Sequence, residues 1–137
     1  SLPTRKAAGQ RKLVVPRLTG MFWLQGESDS SKARDAKKYL SNFQSFITAV
    51  RRDLQAPDLP VVVSPVVWRQ GKYVDLVNEA LKEAGKGAVP NCVCIDELDT
   101  SLYGVQPAEA GAFRDHLTWD GVIDIGRRMG KAFPISQ

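Results

Sequence analysis

Gly20-Met21-Phe22-Trp23-Leu24-Gln25-Gly26-Glu27-Ser28-Asp29-Ser30-Ser31 is the stretch on which the fold turns. Its first part is apolar and aromatic, as a buried strand requires. The apolar run stops at Gln25, a polar cluster follows, and a long helical pattern opens at about Ser31. Open α/β sheets collect their ligand-binding and catalytic groups in such polar turns, at the carboxyl ends of buried strands. The partner expected at this turn is His116, the only histidine of the chain.

Outward from this turn the pattern alternates. Apolar residues at Ala33, Ala36, Leu40, Phe43, Phe46, Ile47, Val50 and Leu54 recur at helical spacing, so a helix is expected to Leu54, with Ser30 or Ser31 capping its first turn. Pro57 and Pro60 end it. Val61-Val62-Val63 begins a second strand, a β-branched run suited to burial on both faces of a parallel sheet. A second helix is expected over Tyr73–Ala84, stopped by positive φ at Gly85 and Gly87. Residues 92–96 read as a third strand, and residues 119–133 as a third helix whose Gly126 and Gly130 are expected to approach the sheet. The order β-α-β-α-β-α implies a parallel sheet with right-handed crossovers and helices on its faces. Three strands are few for such a sheet, so further strands are expected, either from the first 18 residues or from outside the chain. The division expected is a basic, largely irregular segment over 1–18, with a short strand around Leu13–Val15, and an α/β portion over 19–137.

Composition narrows the function. The 137 residues carry 19 Lys and Arg against 15 Asp and Glu, a formal charge of +4, and suit one core. Arg5, Lys6, Arg11, Lys12 and Arg17 cluster near the start, but no aromatic residue interleaves with them, so a solvated arm is expected rather than a nucleic-acid surface. No run of ~18 apolar residues marks a membrane span. A start at Ser1 without a signal-like apolar region is expected of a processed chain or a piece of a longer one. Cys92 and Cys94 stand two apart, on one face of a strand and poorly placed to bond each other. With one histidine and no further cysteine, a zinc site is not expected, and no cofactor is implied.

Two chemistries compete at the turn. Gly26-Glu27-Ser28-Asp29-Ser30 has the outline of a nucleophile elbow, but Ser30 stands where that motif has its second glycine. More specific is Trp23-Leu24-Gln25-Gly26-Glu27-Ser28-Asp29, which resembles the W-x-Q-G-E-S-D block of the SGNH hydrolases, in their sialate O-acetylesterase and carbohydrate acetylesterase branch. His116-Leu117-Thr118, Gly121 and Ile125-Gly126-Arg127-Arg128 resemble that branch's histidine block. The resemblance covers about residues 19 to 133. It implies a three-layer α/β sandwich with a parallel sheet (SGNH or flavodoxin-like) and a serine esterase acting on O-acetylated carbohydrate or another small ester. It further implies His116 as general base, with Gln25, Gly26 and Glu27 at the oxyanion and substrate side and Glu27 and Asp29 tying the turn through backbone hydrogen bonds. Trp68, Tyr103 and Trp119 are available for stacking on a sugar, although half-buried structural aromatics are the commoner use of such residues.

The sequence departs from the family pattern twice. No G-Q-S-N block is present: Gly9-Gln10 is followed by Arg11. The strand carrying the nucleophile is therefore missing from the expected sheet, and the serine is expected on a missing N-terminal segment or a second chain. The residue three before His116 is Phe113 instead of aspartate, and Asp115 is the nearest carboxylate in sequence. The alternative expectation is a catalytically inactive SGNH-like domain serving binding or assembly.

Overall fold

The computed structural model describes residues 17–67, 71–95, 98 and 117–134. Three strands, β1 (Met21–Trp23), β2 (Val61–Val63) and β3 (Cys92–Cys94), form a parallel sheet in the order β1-β2-β3. Met21 lies opposite Val61, and Val61 opposite Cys92. Helix α1 (Ala33–Asp53) links β1 to β2, α2 (Val74–Glu83) follows β2, and α3 (Trp119–Ala132) comes last. The α/β class and the alternation are those expected. The strands are shorter than the apolar runs, and α1 starts two residues late because Asp29–Ser31 forms a 3-10 turn.

Side-chain alternation along β2 sorts the two faces. Val61 and Val63 join the core under α1 and α2, with Ala36, Tyr39, Phe43, Ile47, Val77 and Leu81. Val62 points the other way, to Ile95, Leu98, Ile125 and Met129 beneath α3. All three valines are buried, and each contributes roughly 1.5–3 kcal/mol. Crossovers of one hand, stepping in one direction, place α1 and α2 on the same face. Helix α3 covers the other face alone among the described elements.

Helix α3 runs against the strands. Its end lies at the amino edge of the sheet, where the Phe133 ring meets Phe22 at 5.4 Å and fills the space beside Gly20. Its 14 residues at ~1.5 Å each place Trp119 at the carboxyl edge. Leu117 and Val67 accordingly pack on the cluster that holds Ile95 and Leu98, which follow β3.

Three local expectations are corrected. Ser30 and Ser31 do not cap α1: the N-cap is Lys32, without a side-chain bond, and the Ser30 hydroxyl donates to the Glu27 carbonyl at 2.7 Å. Of Gly85 and Gly87, only Gly87 adopts positive φ, at 117°. Gly85, in the Ala84–Ala88 turn after α2, instead lets that turn pass close to β3, where a Cβ would stand 2.5 Å from the Cys94 nitrogen. Gly126 and Gly130 are exposed, with nothing within 4 Å of an added Cβ, so α3 meets the sheet through Ile125 and Met129 instead. Cys92, which is buried, and Cys94 are not joined in a disulfide, and burial pushes the Cys92 thiol up to about 11.

Candidate active site

The chain leaves β1 at its carboxyl end and folds back on itself within one turn. Gly26 makes this possible. It is buried and sits at φ +144°, where an added Cβ would stand 2.7 Å from Val77 and 2.8 Å from Val66. Only a glycine combines that backbone with that approach. Its carbonyl accepts from the Ser30 amide at 2.9 Å, and the Ser30 carbonyl accepts from the Tyr73 amide at 2.9 Å, tying the turn to the start of α2.

Tyr39, from the second turn of α1, holds the corner from beneath. Its hydroxyl donates to the Gln25 carbonyl at 2.8 Å and accepts from the Trp23 indole at 3.3 Å. The same oxygen lies 3.3 Å from Gln25 Oε1. Burial, with smaller contributions from the Asp29 and Glu27 charges, pushes the phenol up to about 12. It therefore stays protonated at any working pH and acts as a fixed donor. Gln25 Nε2 donates to the Asp29 carboxylate at 2.8 Å. Asp29 thus ties the turn through the Gln25 side chain. Glu27 contributes a backbone bond by way of its carbonyl, which accepts from Ser30.

The turn after β2 is fastened beside this corner. The Asn78 carboxamide accepts from the Val66 amide at 2.7 Å and donates to the Val66 carbonyl at 3.0 Å, so α2 pins the loop against which Gly26 rests.

Gln25, Gly26 and Glu27 are therefore neighbours in one rigid corner, which can present a preorganised amide side chain and backbone dipoles to a reacting group. One Gln25 N–H is committed to Asp29, and a primary amide has a second to offer. His116, Asp115, Trp68 and Tyr103 lie outside the described residues. Trp119 is 79% exposed, not half-buried. Thr118 accepts from the Gly121 amide at 3.2 Å and caps α3, so the chain enters α3 at the carboxyl edge, the edge that carries the corner. Sequence reading missed Tyr39 and Asn78. Each does leave a sequence signal: Tyr39 falls in the helical series 36-39-43-47, and Asn78 in 74-77-78-81.

The family described as carbohydrate esterase, sialic acid-specific acetylesterase, matches residues 3–134. The chain belongs to that family. It is 30% identical over 130 residues to a probable carbohydrate esterase of Arabidopsis thaliana. The crystal structure of that Arabidopsis protein superposes with a TM-score of 0.66 at 30% identity, over 85% of this chain. The chain spans 43% of the relative's length and 44% of the chain in its crystal structure.

Proposed function

We propose that this chain supplies the corner and the general base of a carbohydrate O-acetylesterase whose nucleophilic serine lies on another polypeptide segment. The observation that carries the reading is the Gln25-Gly26-Glu27 corner, locked at the carboxyl end of β1 by Tyr39, Asp29 and Ser30, in a member of this family. The entry of α3 at the same edge supports His116 as its partner, because Leu117 follows it directly.

In this reading the serine Oγ attacks the acetyl carbonyl as His116 accepts its proton. The corner donates to the developing oxyanion, with Gln25 as its side-chain donor. Collapse releases the sugar hydroxyl, which takes its proton from the imidazolium. Water, deprotonated by His116, then frees acetate and regenerates the serine. Asp115 is the carboxylate assigned to favour the imidazolium.

A second reading, an inactive SGNH-like domain kept for binding or assembly, is favoured by Arg11 in place of the family's serine and by Phe113 in place of its aspartate. Turnover of p-nitrophenyl acetate, with a nucleophile-bearing segment supplied, separates the two. The esterase reading expects hydrolysis that falls at least ~100-fold in His116→Ala. Equal background rates in both proteins leave the inactive domain.

A further inference from the structure

The Gln25 carboxamide has two ends of similar size and opposite chemistry. Its NH2 donates, and its oxygen accepts. A corner that meets a developing negative charge stabilises that charge with the first end and repels it with the second. Packing alone does not choose between them, because half a turn of the group leaves its shape almost unchanged. The choice belongs to the hydrogen-bond partners, and among the described residues there are two.

Tyr39 is one of them, and it does not decide the matter. Its hydroxyl carries a single hydrogen, which goes to the Gln25 backbone carbonyl at 2.8 Å. Gln25 Oε1, 3.3 Å from the same hydroxyl, receives the lesser share. Of the two lone pairs on that oxygen, the Trp23 indole takes one. The other would accept an N–H from a turned carboxamide. Tyr39 alone therefore admits both orientations and makes the better bond with the turned one.

Asp29 is the other partner. It opens the 3-10 turn Asp29–Ser31, and the chain reversal at Gly26 brings it back to Gln25. The turn is held on both sides. The Ser30 amide donates to the Gly26 carbonyl at 2.9 Å, the Ser31 amide donates to the Ser28 carbonyl at 3.2 Å, and the buried Ser30 hydroxyl donates to the Glu27 carbonyl. The Asp29 carboxylate thus meets Gln25 Nε2 at 2.8 Å from a fixed position. An ionised carboxylate has no hydrogen to give. Only the NH2 end of the carboxamide can face it, since Oε1 in that place would set two acceptors against each other.

We propose that Asp29 is a positioning residue whose negative charge selects the orientation of the Gln25 carboxamide. One N–H is used on Asp29, and the planarity of the amide then fixes the direction in which the second is offered. That the second N–H meets an oxyanion rests on the esterase reading above; the selection of the orientation does not.

Two substitutions separate charge from shape. Asp29→Asn keeps the shape and removes the charge. The new side chain can donate to Oε1, so the turned carboxamide, bonded to it and to Tyr39, becomes the favoured state. Asp29→Glu keeps the charge and alters the length. Nuclear Overhauser contacts from the Gln25 amide protons to the Tyr39 ring protons, in the labelled chain, read the orientation. They are expected to be weak in the wild type and in Asp29→Glu, and strong in Asp29→Asn. With a nucleophile-bearing segment supplied, Asp29→Asn is expected to lose at least ~10-fold in kcat on p-nitrophenyl acetate while KM changes little. Asp29→Glu is expected to keep more of kcat than Asp29→Asn. A purely structural Asp29 gives the reverse order, because asparagine is the closer fit. Contacts that are the same in all three proteins overturn the proposal, as does a carboxamide already turned in the wild type. So does a carboxamide that turns in Asp29→Asn and leaves kcat unaltered. A carboxamide that turns as described, with no turnover in any of the three proteins, upholds the selection by Asp29 and counts against the esterase reading alone.

Discussion

Gly26 and Tyr39 concentrate the physics of the corner in two side-chain choices. At Gly26 an alanine meets both a left-handed backbone and the methyl groups of Val66 and Val77, under 3 Å away. Gly26→Ala is expected to cost roughly 1–3 kcal/mol, read as a lower midpoint in urea unfolding. At Tyr39 the hydroxyl satisfies the Gln25 carbonyl and the Trp23 indole at once. Tyr39→Phe leaves both without it, for about 1–3 kcal/mol. The same residue sets a pH dependence. With the folded phenol at about 12 and an ordinary phenol near ~10, the folded protein retains a proton that the unfolded chain gives up. The stabilisation is complete below pH ~10 and is lost as pH rises toward 12. Thermal unfolding of the wild type is expected to decline over that window more steeply than that of Tyr39→Phe. Parallel curves would contradict this account of Tyr39.

At the scale of elements, the strands and helices were legible because their signals are redundant. Val61-Val62-Val63 is β-branched throughout, and α1 repeats its apolar residues over five turns. What the pattern did not carry was the division of labour within an element. Tyr39, left off the stripe, is buried in the core, while Phe46 and Leu54, which are on it, are exposed, because hydropathy does not report which side of a helix faces the sheet. Gly126 and Gly130 show the same gap: their spacing marks a flat line, and only the packing of Ile125 and Met129 shows that the line faces away from the sheet. Gly85 offers a check on close packing between the Ala84–Ala88 turn and β3. Gly85→Ala brings a Cβ to 2.5 Å from the Cys94 nitrogen and 2.7 Å from its Cβ. A loss of about 1–3 kcal/mol is expected, whereas Gly126→Ala, in open space, is expected to be neutral or slightly stabilising in a helix.

For the whole molecule, the three-stranded sheet brings one polar turn to its carboxyl edge and feeds α3 in from that edge. The turn was legible from Trp23–Asp29 because an apolar run ending in a dense polar cluster marks the carboxyl end of a buried strand. The bonding of the turn was not legible, since Tyr39 reaches it from 14 positions away and Asn78 acts through the backbone of Val66. No described helix is long and apolar enough to cross a membrane.

The central claim is that the corner and the His116 imidazole share one edge of the sheet. Nuclear Overhauser contacts from the His116 ring protons in the labelled full chain test it directly. The account predicts contacts to the Gln25 side-chain amide or to Gly26. Contacts to Gly20 or Leu54, at the far ends of β1 and α1, would contradict it.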